Sequence, residues 1–282
     1  MGREDVAIGD DGDLMRAFTF GLAFAVALGL AGQHAFAASQ YKLLRLDGHY
    51  VKWGNPDLGA PATVSYALAS RSRSFPGARN CALLRPVDRL LSASKIAPFA
   101  FRAELRAAFA IWEKAANIRF REAKNPLAAD ILIGAQGAPR GWAFTNVDYA
   151  EASDGTTWSI SKALICLNPE RRWKIGFDGN VDVYDLRYTL VHEIGHAIGL
   201  DHPGPTGAMM SFKYQEAFRS LQAGDASGAG ALYGAKTPSA IAGVADRSDT
   251  ETVDGGPISA TPPQLSLGDD EPSQILRPAG SK

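Results

Sequence analysis

Only two cysteines and five histidines are spread over 282 residues, so a metal site built on clustered cysteines is excluded. The net charge is −1, from 29 basic and 30 acidic side chains, which leaves no basic field for nucleic acid. No apolar run reaches the roughly 20 residues a membrane helix requires, so no stable membrane anchor is expected. Nor is the composition that of a disordered chain, since 46% of the residues are hydrophobic. A globular protein remains. Its length would suit two domains at about 150 residues each, but both ends read as separable from the folded part.

At the N-terminus, Ala17–Gly32 is an apolar run preceded by Met15-Arg16 and followed by Ala35-Phe36-Ala37. That order of basic residue, apolar stretch and small-residue triplet reads as a secretory signal peptide over residues 1–37. The residues before Met15 are acidic, the wrong sign for such a leader, so translation is expected to start at Met15 and the mature chain at Ala38. Export, to the extracellular space or a periplasm, would place Cys81 and Cys166 where a pair most simply forms a disulfide. Two buried free thiols are the other reading. Beyond Gly234 the chain holds six prolines, seven acidic residues and no aromatic residue, so residues 235–282 are expected to be a disordered tail. An N-terminal segment, 38–60, and one domain, 61–234, lie between.

Within that domain Thr63–Leu68 alternates as a strand does, and a helical period follows Pro98. Phe101, Leu105, Phe109, Trp112 and Ala116 recur at steps of four and three, which makes them one core-facing stripe. Short strands are expected at Ile118–Arg121, Asp130–Ile133 and Ala163–Leu167, the last ended by Asn168-Pro169. A second helix follows, and the order predicts an α+β layer arrangement.

That helix carries His192-Glu193-Ile194-Gly195-His196-Ala197-Ile198-Gly199-Leu200-Asp201-His202. Residues four apart lie one above the other on a helix, so His192 and His196 can aim at one ion. Gly199, having no Cβ, can end the helix in a left-handed turn and bring His202 back to the same point. Three neutral nitrogens on Zn2+ leave a fourth position open, the arrangement of a catalytic site. Glu193 points about 100° away from His192 around the helix and is the candidate general base for water. With 5 His, 10 Glu and 29 Gly in the chain, the pattern would arise by accident on the order of once in 10⁵ chains, so coincidence is no rival.

The segment resembles the zinc motif of the metzincin peptidases. Gly207-Ala208-Met209-Met210-Ser211 is similar to the methionine turn of the matrixin branch, relatives of the matrix metalloproteinases, with Met210 as the floor beneath the metal. Tyr214 matches the tyrosine that walls the primed-side substrate pocket. Leu232-Tyr233-Gly234 resembles the close of the catalytic domain. Pro203 is more like the serralysin branch, but Phe212 stands where serralysins and astacins carry a zinc-contacting tyrosine. Trp53-Gly54-Asn55-Pro56-Asp57 resembles the inhibitory Cys-Gly-x-Pro-Asp segment with tryptophan in the cysteine's place, so no thiol can cap the metal.

The resemblance implies a metzincin fold: a mixed twisted sheet, a long first helix, an active-site helix and a zinc cleft between two subdomains. It implies a monomeric, secreted zinc endopeptidase that binds protein or peptide in extended form. Outside the leader and the motif the only histidine is His49, so the second, His-rich zinc site of vertebrate matrixins cannot be built, and one zinc is expected. Ala163–Leu167 would then be either the sheet edge that pairs with substrate or an ordinary interior strand. Asp154, Asp178 and Asp182 could hold calcium, as matrixins often do, or lie in solvated turns. The alternative function is a secreted binding or adhesion module that retains the metal as a structural staple.

Overall fold

A computed structural model describes residues 40–137, 141–150 and 155–236. The leader, most of the tail and Asp154 lie outside these residues. The chain begins with short strands β1 (Lys42–Leu43), β2 (Arg45–Leu46) and β3 (His49–Lys52), then β4 (Ala62–Leu68), β5 (Arg73–Ser74) and β6 (Leu83–Leu84). Helices α1 (Asp88–Ser94) and α2 (Pro98–Ala115) follow, and then strands β7 (Ile118–Glu122), β8 (Ile131–Ala135), β9 (Ala143–Ala150) and β10 (Thr157–Leu167). Last come β11 (Trp173–Lys174), β12 (Tyr184–Asp185), α3 (Leu186–Ala197), β13 (Leu200–Asp201) and α4 (Ala223–Tyr233). The architecture is α+β, with a mostly parallel main sheet backed by helices.

Proline at the start of α2 costs nothing, because its missing N–H would have no partner there. One face of α2 buries Phe101, Leu105, Phe109 and Trp112, each at most 2% exposed. Full burial of such a side chain contributes about 1.5–3 kcal/mol, so this stripe fixes the helix on the core. The other partner is α3, reached through the Trp112 indole, whose Nε1 donates to the Val191 carbonyl at 2.9 Å. Trapped between α2 and the sheet, α3 is buried on nearly every face, which is why its sequence shows no polar stripe.

In the sheet, β4 runs parallel to β7 on one side and to β8 on the other, and β8 runs parallel to β10. The long β10 is also paired along its other side, antiparallel, with β9, from Ser159↔Ala150 to Leu167↔Ala143. This decides between the two readings of Ala163–Leu167, for the interior strand and against the edge. Those residues form an interior stretch hydrogen-bonded on both sides and buried throughout, and the outer strand beside α3 is β9. A continuous apolar run is what a strand covered on both faces shows.

The segment before the domain is also built in. Strand β3 adds to β10 in parallel, β2 pairs with β3, and β1 pairs with β13. Trp53 therefore lies in the core, 5% exposed, with its Nε1 donating to the Ala197 carbonyl at 2.7 Å. It packs at the C-terminal end of α3, so the segment that resembles an inhibitory stretch contributes a core residue here.

A smaller apolar cluster lies around the Cys81–Cys166 disulfide, which joins the β5–β6 excursion to β10 across 85 residues. Closing a loop of that size removes about 4–5 kcal/mol of unfolded-state entropy. Replacing both cysteines by alanine is expected to lower unfolding free energy by about 3–5 kcal/mol, read from urea denaturation. A change under 1 kcal/mol would assign the joint to packing alone.

Candidate metal centre

Helix α3 starts from a firm cap. The Asp185 carboxylate accepts the Tyr188 N–H at 2.8 Å and binds Arg219, whose guanidinium also reaches Glu104 on α2. Arg187 grips Glu104 through two contacts, 2.6 and 2.9 Å. These pairs tie the start of α3 to α2 and to the chain after the methionine turn. At the other end Gly199 takes φ +102° and turns the chain back through β13 to His202.

The three imidazoles converge. His192 and His196 Nε2 atoms are 3.2 Å apart, and each lies 3.0 Å from His202 Nε2. On His192, Nδ1 donates to the Met209 carbonyl at 2.8 Å; on His196, to the Leu200 carbonyl at 2.9 Å. A carbonyl only accepts, so both rings carry their proton on Nδ1 and present a bare lone pair at Nε2. Burial and mutual repulsion push all three rings down to about 3, so they stay neutral. Neutral lone pairs packed this closely repel unless a cation lies among them. Three nitrogens at about 2.0–2.1 Å from a tetrahedral zinc are about 3.3 Å from each other, close to the triangle seen here. The donor set fits Zn2+. Among the described residues these histidines form the one grouping of three or more His, Cys, Asp or Glu side chains able to hold a metal.

Glu193 lies beside them, 3% exposed, with Oε2 accepting the Thr145 hydroxyl at 2.6 Å. Burial pushes its carboxyl up to about 7, with the Thr145 hydrogen bond pulling it back. Thr145 belongs to β9, so the outer strand and the carboxylate are coupled directly. Met210 is buried against Gly195, where a Cβ would come within 2.2 Å of the Met210 sulfur. The turn that holds it hangs from Asp225 on α4, whose carboxylate accepts the N–H groups of Met209 and Met210 at 2.8 and 3.0 Å. Tyr214 stacks on Tyr184 with ring centroids 4.0 Å apart; its hydroxyl donates to Glu216 and accepts the Asp185 N–H. Phe212 is half-exposed, its ring 6.1 Å from that of His202.

The domain matches a family model described as Matrixin over residues 90–234, just over half of the chain. The chain belongs to the matrixin family. Among curated relatives it is 27% identical over 224 residues to Metalloendoproteinase 4-MMP of Arabidopsis thaliana, covering 73% of this chain and 63% of that protein. It is 30% identical over 169 residues to Matrix metalloproteinase-19 of Mus musculus, covering 57% of this chain and 30% of the relative. Karilysin of Tannerella forsythia is 28% identical over 160 residues, covering 52% of this chain and 31% of its own length. This matrixin thus spans less than two thirds of each of these relatives.

Thr145, Asp225 and the carbonyls of Met209 and Leu200 escaped the sequence reading. Only Asp225 left a trace, as an acidic residue three positions after Gln222 at the start of a helix, where the two form a capping box. Of the three aspartates considered for calcium, Asp178 contacts the Lys174 ammonium, which also binds Glu216 at 2.5 Å. One ammonium thus bridges the Asp178 and Glu216 carboxylates and offsets one of their two charges.

Proposed function

We propose that this matrixin is a secreted, zinc-dependent endopeptidase, with His192, His196 and His202 as the zinc ligands and Glu193 as general base and acid. The reading rests above all on the convergence of three Nε2 atoms within 3.2 Å beside a buried, hydrogen-bonded carboxylate. Bound zinc would polarise the scissile carbonyl and bring the pKa of water from about 15.7 toward about 7. The protein's own groups do the rest. Met209 and Leu200 carbonyls hold two ligand rings in register. Thr145 occupies Glu193 Oε2, so Oε1 takes the proton from the attacking water and returns it to the departing amine nitrogen. Met210, under Gly195, keeps the helix and the returning loop at one spacing.

An extended peptide would add to the side of β9 away from β10, which pairs with no strand among the described residues, and its backbone would then run alongside Glu193. Tyr214 would flank its primed side. The described residues contain no helix long and apolar enough to cross a membrane, and a disulfide suits an exported protein. In this reading 1–37 is the leader, 61–234 the catalytic domain with 38–60 built onto it, and 235–282 a tail.

The test is cleavage of a mixed peptide library by the purified chain, with and without a zinc chelator. Hydrolysis that stops with the chelator and returns with stoichiometric zinc is expected. Zinc bound at one equivalent with no peptide cleaved would instead favour a binding module that keeps the metal as a staple. A buried Glu193 held by Thr145 argues against that module, because a staple has no use for a desolvated carboxylate.

A further inference from the structure

We infer that the N-terminal strand segment Tyr41–Leu44, outside the region matched by the family model, is a positioning element of the metal centre and sets how tightly it holds a dication. The inference rests on the zinc-site reading above. The turn from α3 to His202 contains only three residues after Ile198, and each is gripped. Leu44 N–H donates to the Gly199 carbonyl at 2.8 Å, Leu43 pairs with Leu200, and Lys42 pairs with Asp201. Strand β13 has no other strand partner among the described residues.

Those same residues orient two of the three ligands. The Leu200 carbonyl is the acceptor for His196 Nδ1 at 2.9 Å. Asp201 Oδ1 accepts the His202 N–H at 2.7 Å, while Oδ2 meets the Lys42 ammonium at 2.7 Å. Tyr41 anchors the strand on α4 at Gly228, where a Cβ would come within 3.1 Å of Tyr41 Cβ and 2.9 Å of Leu200 Cδ2. Without β1 the Leu200 peptide could swing, and the His196 ring would lose its fixed orientation. Partners that orient a metal-bound histidine typically govern affinity by 10–100-fold. Lys42 is 60% exposed, so its ion pair should account for only a few-fold, with the main-chain pairing responsible for the rest.

The experiment measures zinc affinity of the full chain by competition with a chromophoric chelator, on protein shown to be folded by near-UV circular dichroism. Leu44→Pro deletes the N–H that binds Gly199 and is expected to weaken zinc by about 10–100-fold. Lys42→Glu, which turns the pair repulsive, is expected to weaken it by about threefold to tenfold, and Lys42→Arg to restore it. Gly48→Ala strains the neighbouring β2–β3 turn without touching β13, and should lower stability with zinc affinity unchanged. If Leu44→Pro folds and binds zinc within twofold of the parent, the inference is overturned. Should Leu44→Pro not fold, Lys42→Glu decides: parental affinity overturns the inference, and a loss that arginine restores upholds it. A parent chain that binds no zinc at all would instead bring down the metal-centre reading beneath it.

Discussion

Replacing Glu193 by glutamine is expected to lower kcat for peptide hydrolysis by about 10³-fold while zinc stays bound at one equivalent. Glutamine has nearly the shape of glutamate, and its amide oxygen can still accept the Thr145 hydroxyl that now lies 2.6 Å from Oε2. Packing and the hydrogen bond survive, so the change isolates one property: an amide does not take a proton from water at neutral pH. One positioned acid–base group contributes typically 10²–10⁴-fold, and this one would act both in the attack and on the leaving amine. Glu193→Ala is a poorer probe, because it also leaves a cavity and reduces the acceptors of the Thr145 hydroxyl to the main-chain carbonyl of residue 193, now 3.0 Å away. His196→Ala should behave differently, losing metal and hydrolysis together, since one corner of the triangle disappears. Steady-state kinetics on a quenched peptide, with elemental analysis of the same samples, separates the two. A glutamine variant within tenfold of the parent would remove Glu193 from the chemistry.

What could be read in the sequence was what short spacing determines. The i, i+4 placement of His192 and His196, the breaker at Gly199 and the stripe from Phe101 to Trp112 are consequences of 3.6 residues per turn. The structure has the convergence and the burial that those spacings imply. Strands β4, β7 and β8 were also visible, to within a residue or two of their ends, from alternation and flanking turn residues. What escaped was set by partners far away along the chain. Thr145 meets Glu193 from 48 positions earlier, and nothing in Ala143–Ala150 marks it as the strand that flanks the site. The apolar run Ala163–Leu167 left edge and interior readings open, and its continuous hydrophobicity was the signal that favours the interior strand found. Strand β1 has only two residues, too few for any period to appear, and it exists because β13 is there to pair with it.

Gly199→Ala is expected to abolish the fold around the three histidines, with a loss of at least about 4 kcal/mol and no zinc retained. Two penalties act at this position, and they can be told apart. The backbone sits at φ +102°, where a side chain costs about 1–3 kcal/mol. A Cβ built there would also lie 2.1 Å from the Val51 carbonyl oxygen, part of strand β3 in the main sheet, and 3.3 Å from the Leu232 side chain. A methyl group cannot displace a sheet backbone without breaking the pairing that holds it. Gly48 supplies the comparison: it has φ +85° but nothing within 4 Å of its missing Cβ, so alanine there meets only the conformational cost. Gly48→Ala should therefore lose about 1–2 kcal/mol in denaturant titration and keep its metal. Parallel unfolding curves for the two variants would separate the terms. Equal losses would mean that the approach of Val51 to Gly199 is loose enough to yield, and that left-handed geometry alone explains why glycine stands between the second and third histidines.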